Sequence, residues 1–273
     1  MSRSGPARAG HVVLLTMILA GIASAAGAQA TAPDAAADPA IDGQVQFLPR
    51  SAFHLTAEHV SSGDDRFVWD TNFGGDIDFV DYGVGRTTFV ANYQAILGRE
   101  FREFDPYQGN YTLEGSTSAR VRGVEIAAVF HHISRHLSDR PKRFAIDWNM
   151  LGGRVEKQAS YGDTRIDARV DLRRVIVRSF VDYTWELDGG LRNVYGASRR
   201  VAAVSDVGLR LLGTNGSQNR GTQAGFRGEG GLRLQGRGAA VELYVAAERR
   251  IDPFPLEFGT ASWVGAGFRL LSR

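Results

Sequence analysis

The sequence predicts an all-β fold, a closed antiparallel transmembrane β-barrel of about 12 strands, with about 10 strands as the alternative. Runs of about ten residues alternate between apolar and charged side chains, turn signals separate these runs, and the chain contains no cysteine. Because side chains of a strand point alternately to its two faces, each run carries one apolar and one polar face. The repetition of this pattern over nearly every segment favours a barrel in contact with hydrocarbon over a water-soluble sandwich.

The first thirty residues predict a signal peptide and not part of the fold. Arg3 and Arg8 precede an apolar run at 12–23, and an Ala-Gln-Ala sequence ending at Ala30 offers a cleavage site for signal peptidase. The apolar run is too short for a stable membrane-spanning helix. We therefore expect export, with cleavage near Ala30.

Composition limits the class of the exported chain. Residues 31–50 are low in complexity and predict a flexible lead-in, and residues 51–273 form the predicted barrel. The whole chain has 32 basic and 30 acidic residues, and loss of residues 1–30 removes two arginines, so the remainder is balanced. Because there is no surplus of positive charge, the composition gives no indication of nucleic-acid binding. No apolar run of about 20 residues follows the signal, which excludes a helical inner-membrane protein.

The alternating runs give the predicted strands. Outside the central hairpin they lie at 51–60, 67–79, 86–97, 110–121, 164–173, 180–187, 200–212, 222–235, 238–250 and 261–271. The run at 164–173 is the clearest, because its apolar positions alternate with arginines and aspartates. No turn signal separates the seventh and eighth strands within 173–187, which keeps ten strands as the alternative.

The lengths of the connections predict the orientation of the barrel. The connections near 122–123 and 236–237 are very short, and those at 98–109, 213–221 and 251–260 are longer. Bacterial barrels have short periplasmic turns and longer outer loops. The charged faces then point inward, and their arginines and carboxylates predict a narrow or plugged lumen.

Residues 121–150 form the predicted central hairpin, around a polar turn at 138–142. In its first run Val124, Ile126, Ala128 and Phe130 share one face, and the same parity places His132 and Ser134 on that lipid-facing side. In the second run, the side chains predicted to face lipid are Phe144, Ile146, Trp148 and Met150. Asp147 and Asn149 are predicted to point inward.

The chain resembles bacterial outer-membrane β-barrel proteins over its whole length after the signal. The signal peptide, the alternating strands and the closing run at 263–270 carry this resemblance. It implies location in the outer membrane, assembly by the barrel assembly machinery, and contact with outer-membrane lipid or lipopolysaccharide. The run at 130–139 also resembles a signature of uncharacterised outer-membrane barrels, His-x-Ser-Ser-His-Leu-Gly-Asp.

His132 and Ser134 are similar in spacing and facing to the His-x-Ser pair of the outer-membrane phospholipase A and lipid A deacylase families. Residues i and i+2 of a strand project from the same face about 7 Å apart, so the imidazole can act as general base for the hydroxyl. Those families have a third group that orients the histidine. Asp139, in the following loop, is the carboxylate that the sequence offers for this role. The sequence thus allows a lipid acyl-ester hydrolase with His132, Ser134 and Asp139 as catalytic residues.

Other interpretations stay open at this stage. An envelope barrel of unassigned activity is favoured, with His132 in the interfacial belt, and the lipid hydrolase and a small-solute channel are alternatives. The sequence predicts no cofactor. Calcium is a weaker alternative, for which the candidate oxygen ligands are Asp64, Asp65, Asp70, Asp76, Asp78 and Asp81, although pairing of these groups with inward-facing arginines is favoured. The histidines at 131, 132 and 136 lack the geometry of a zinc site.

Overall fold

The structure is a computed structural model that describes residues 45–141, 144–196 and 198–272. The predicted signal peptide, and the lead-in up to residue 44, lie outside these residues. The described chain forms twelve strands, namely β1 (Gln46–Val60), β2 (Trp69–Asp81), β3 (Arg86–Gly98), β4 (Asp105–Val121), β5 (Val124–Leu137), β6 (Asp147–Tyr161), β7 (Thr164–Ser179), β8 (Tyr183–Gly196), β9 (Val201–Thr214), β10 (Gln223–Gln235), β11 (Ala239–Ile251) and β12 (Thr260–Ser272).

The strands close into one antiparallel barrel. Each strand pairs with its neighbour in sequence, and β1 pairs with β12 through contacts such as His54 with Leu271. Closure satisfies the backbone hydrogen bonds of every strand within the wall, which a sheet in hydrocarbon requires. The predicted closed barrel of twelve strands is confirmed, although β1 begins five residues before the predicted boundary at residue 51.

No helix within residues 45–141, 144–196 and 198–272 is long and apolar enough to span a bilayer.

The turn between β7 and β8 explains why the sequence left the strand count open. It consists of residues 180–182, and Phe180 adopts a left-handed conformation with φ of 70°. Glycine or asparagine usually marks such a position. The Phe180 ring instead stacks with those of Phe144 and Phe258, at centroid distances of 4.9 and 5.5 Å. An aromatic stack therefore accompanies the turn in place of a recognisable turn residue.

The two ends of the barrel differ in the length of their connections. At one end the connections have two to four residues, and at the other all except 180–182 have six to nine. We call the latter the long-loop end. This asymmetry agrees with the predicted outer loops and periplasmic turns.

Charged side chains fill much of the lumen, as the alternating pattern predicts. The fully buried Arg173 lies 3.0 Å from Glu186 and 2.5 Å from Asp188. A second cluster joins Arg269 to Glu229 and Glu242, both at 2.8 Å. Buried charges are tolerated because each has partners of opposite sign.

The aspartates considered as calcium ligands also pair with arginines, although Asp65 and its partner Arg99 are exposed, unlike the buried pairs of the lumen. The pairs are Asp64 with Arg66, Asp65 with Arg99, Asp70 with Arg250, Asp76 with Arg50, Asp78 with Arg50 and Arg86, and Asp81 with Arg120. Their carboxylates therefore act as partners of arginines, the role that the sequence favoured.

Near the long-loop end, apolar side chains replace charges inside the barrel. Ile146, Trp148 and Met150 are buried there in a cluster with Val175, Val181, Tyr183, Leu212 and Ile251. The prediction that Ile146, just before β6, and Trp148 and Met150 of β6 face lipid is therefore wrong. Their apolar character reflects this internal cluster, whereas Phe144 before the strand is exposed as predicted.

Phe67, the first residue of the run predicted as a strand at 67–79, also faces the interior and not lipid. It precedes β2 and is fully buried, with its ring 4.8 Å from that of Trp263. It belongs to a second internal apolar cluster near the long-loop end.

The loop 252–259 crosses the barrel at the long-loop end. Arg135 of β5 donates hydrogen bonds to the carbonyl oxygens of Asp252 and Pro253, at 2.7 and 2.9 Å. Gln108 of β4 also donates to Pro253, at 2.9 Å. Since β4 and β5 lie across the ring from β11 and β12, the loop obstructs the lumen. The narrow or plugged lumen stays a prediction.

We expect Glu242→Ala to destabilise the folded barrel by about 3–5 kcal/mol, because it leaves buried arginines without a partner. Glu242 is fully buried and contacts Arg192 and Arg269. Unfolding in urea, followed by the mobility of the folded barrel on gels, measures the effect. The control is Glu257→Ala, since Glu257 is half exposed. Equal unfolding midpoints for the two variants would contradict the prediction.

We expect no steady single-channel conductance from the purified barrel in planar bilayers, because the loop 252–259 and the ion pairs obstruct its lumen. Arg135→Ala removes two of the hydrogen bonds that hold the loop and should increase brief openings. Regular, long-lived conductance steps from the unmodified protein would instead support a channel.

Candidate functional site

Three polar side chains project from the outer face of β5 near the long-loop end. His132, Ser134 and His136 alternate with Ile133 and Arg135, which belong to the inner face. Their outward direction follows from the flanking residues, because His131 is buried in the lumen against Glu114 and Phe130 is exposed outside. The predicted parity of His132 and Ser134 is thus observed.

β6 places two more polar side chains beside them. His132 pairs across the strands with Asn149, and Ser134 pairs with Asp147. Because Trp148 and Met150 are buried in the lumen, Asp147 and Asn149 point outward. The prediction that they point inward is wrong, because it assumed that Trp148 and Met150 face lipid, whereas these two side chains face the lumen. A shift of parity by one residue exchanges the two faces of a strand.

Asn149 fixes the imidazole of His132. The Asn149 carboxamide oxygen Oδ1 lies 2.7 Å from Nδ1 of His132. A carboxamide oxygen can only accept a hydrogen bond, so Nδ1 carries the proton and donates it. The other ring nitrogen, Nε2, then holds a lone pair in the neutral ring. This is the tautomer that a general base requires.

Ser134 contacts the second histidine of the outer face. A hydrogen bond of 2.6 Å joins its Oγ to Nε2 of His136. The ring of His136 also meets that of Tyr111 edge to face, at 5.5 Å between centroids. Tyr111 pairs with Ser134 from the other side, on β4. The serine therefore lies between two imidazoles, one above and one below it on the strand.

Apolar side chains surround this polar group on the outer surface. Leu113 of β4 pairs with His132 and is 41% exposed, and Phe130, two residues below His132, is 43% exposed. An acyl chain alongside the barrel would contact these side chains. The polar side chains of β5 and β6 thus form a patch at the edge of an apolar wall.

Asp139, the orienting carboxylate that the sequence offered, lies elsewhere. It is in the loop after β5, largely exposed, and 3.4 Å from Arg102. The group that holds His132 is Asn149, which sequence reasoning missed. The pairing of β5 with β6 could have identified Asn149, because a residue directly opposite His132 on the same face of the sheet is close enough to contact it. His136 was also missed as a partner of Ser134, although its i+2 spacing predicts a common face.

No group of three or more histidine, aspartate or glutamate side chains within residues 45–141, 144–196 and 198–272 is arranged to hold a metal ion.

No protein-family model matches the chain, and no curated protein matches it. Its fold is similar to solved bacterial outer-membrane β-barrels. The dimeric outer membrane phospholipase of Salmonella typhi with bound calcium matches at a TM-score of 0.50 and 12% identity, over 82% of this chain and 91% of that one. The outer membrane phospholipase A of Escherichia coli, in an asparagine-to-alanine active-site mutant, matches at 0.50 and 13% identity, over 85% and 93%. At these identities the similarity establishes the fold alone.

The outward direction of Asn149 can be tested directly, because the chain contains no cysteine. We expect Asn149→Cys, in the barrel in lipid vesicles, to react with a lipid-soluble maleimide. Met150→Cys should react slowly, since Met150 is fully buried in the lumen. Mass spectrometry of the labelled protein measures both rates. Faster labelling at position 150 than at position 149 would reverse the assignment of the two faces.

Proposed function

We propose that this protein is a lipid acyl-ester hydrolase of the bacterial outer membrane, with its site on the outer wall of the barrel. The hydrogen bond between His132 and Asn149, on the lipid-facing side next to Ser134, carries this proposal. An oriented imidazole beside a hydroxyl is the arrangement that activates a serine nucleophile. A site on the outside of a barrel can receive a substrate from the bilayer, which matches the chemistry of a lipid ester.

The long-loop end of the barrel faces the cell exterior in this proposal. The chain reaches the outer membrane after cleavage of its signal peptide near Ala30 and is folded by the barrel assembly machinery. Ser134 lies three residues before the end of β5 at the long-loop end, close to the headgroups of the outer leaflet. The substrate class is then an ester of outer-leaflet lipid, either a phospholipid or lipid A.

The reaction proceeds in two steps. Ser134 Oγ turns about its χ1 bond from His136 toward His132 and attacks the ester carbonyl while Nε2 of His132 takes its proton. The alcohol of the lipid leaves with that proton, and the acyl group stays on the serine. Water then attacks the acyl-serine with the same imidazole as base, which releases the fatty acid and restores the hydroxyl. Asn149 keeps the ring in the required tautomer throughout.

We expect Ser134→Ala to abolish release of fatty acid from phospholipid or lipid A vesicles. His132→Ala should reduce the rate about 10²–10⁴-fold, the usual contribution of a general base. Asn149→Ala should reduce it about 100-fold, because the imidazole loses its fixed orientation. Asp139→Asn is the matched control, and its rate should stay that of the unmodified protein.

Titration of the released fatty acid measures these rates, with folding of each variant confirmed by gel mobility. Vesicles of phospholipid and of lipid A, assayed separately, identify the substrate. Unchanged release by Ser134→Ala would refute the hydrolase. Loss of release in Asp139→Asn together with full activity in Asn149→Ala would assign the orienting role to the loop carboxylate.

A further inference from the structure

The second histidine of the outer wall, His136, contacts the hydroxyl on which the proposed reaction depends. Ser134 Oγ lies 2.6 Å from Nε2 of His136, on the side of the serine that faces the long-loop end. His132, held by Asn149, lies on the opposite side of the serine along the same strand. The hydroxyl therefore contacts one imidazole, that of His136, while His132 lies two residues away on the same face of the strand.

A hydrogen bond to His136 competes with one to His132, because a serine hydroxyl carries one proton and can donate it to one acceptor at a time. The hydroxyl is bonded to His136 in this structure, whereas the imidazole with the fixed tautomer is that of His132. Rotation about the χ1 bond of Ser134 exchanges the two partners. The staggered rotamers of a serine allow such an exchange without movement of the backbone.

We infer that His136 is a positioning residue that holds the Ser134 hydroxyl in a resting orientation, away from His132. This inference rests on the proposed function, since it concerns the nucleophile of that reaction. The rotamer bonded to His132 is the reactive one, and entry of a lipid ester selects it. A net hydrogen bond of ordinary strength favours the resting orientation about twofold to tenfold.

The surroundings of His136 support a positioning role. Its ring meets the Tyr111 ring edge to face at 5.5 Å, and an aromatic contact of this kind restricts its orientation. Asp147, across from Ser134 on β6, is the carboxylate that faces the same part of the outer wall. A phenylalanine at position 136 would keep the contact with Tyr111 and lose the hydrogen bond. A glutamine would keep a hydrogen-bonding group but could not accept a proton.

The first test observes the hydrogen bond without catalysis. Imidazole nitrogen resonances of the full barrel, labelled with ¹⁵N-histidine in detergent micelles, are compared with those of Ser134→Ala. We expect loss of the hydroxyl to shift Nε2 of His136 and to leave the nitrogens of His132 nearly unchanged. A shift confined to His132 would overturn the inference, because the hydroxyl would then already rest on the base.

The second test measures turnover of phospholipid or lipid A vesicles by His136→Phe and His136→Gln. We expect His136→Phe to raise kcat about twofold to tenfold with little change in KM, since the resting orientation is lost. His136→Gln should stay close to the unmodified protein. If both variants fall to the level of Ser134→Ala, His136 is the base and the inference is wrong.

These experiments distinguish failure of the proposed hydrolase function from failure of the inference about His136. If the hydrolase function fails, the unmodified barrel and every variant release no fatty acid, while the resonance of His136 still reports whether Ser134 is bonded to it. A shift at His136 would then uphold the contact as a structural feature and refute its role in a reaction. Gel mobility confirms that each variant has folded before either measurement.

Discussion

The closed hydrogen bonding of the barrel wall is the constraint on which the rest of the structure depends. A sheet in hydrocarbon has no water to satisfy an open edge, so β1 must meet β12. Where the pairing is regular, it fixes the directions of the side chains, because neighbouring residues of a strand face opposite sides. A polar side chain on the outer wall therefore turns to the lumen only if the strand shifts its register or contains a bulge. His132, Ser134 and Asn149 remain outside for this reason.

The same constraint determines which features the sequence could predict. In β7 the apolar and charged residues alternate, and the structure buries Asp171 and Arg173 as that pattern requires. The residues of β6 alternate with the same period, but here the apolar side chains face the lumen. Trp148 and Met150 belong to an internal cluster at the long-loop end. Periodicity alone cannot tell an apolar face that meets lipid from one that meets other apolar side chains. Only the pairing of β6 with β5 and β7 decides between them.

The candidate site shows the consequence of this ambiguity. The pair His132 and Ser134 and its outward direction followed from the sequence, because Val124 to Phe130 established the lipid face of β5. The orienting group did not follow, since its position depends on β6. Once Trp148 points inward, Asn149 must stand beside His132, and the 2.7 Å hydrogen bond is the result. An error of one residue in parity thus concealed the contact that supports a catalytic interpretation.

The interior and the outer wall have separate roles in this account. Ion pairs occupy much of the lumen, and the loop 252–259 crosses it at the long-loop end. Polar groups outside would be costly in an apolar wall without a function, because hydrocarbon offers them no hydrogen bonds. Four of them form two hydrogen bonds, His132 with Asn149 and Ser134 with His136. In the proposed function, their position near the end of β5 gives them access to lipid esters. The barrel wall thus presents a small group of polar side chains on its outer surface and not inside a cleft.

Covalent trapping of the nucleophile tests this account most directly. The folded barrel in vesicles is treated with a long-chain alkyl fluorophosphonate, and the adduct is located by mass spectrometry of its peptides. The account predicts one adduct, on Ser134, which is lost in Ser134→Ala and forms much more slowly in Asn149→Ala. Absence of any adduct, or equal labelling of serines elsewhere on the barrel, would contradict it.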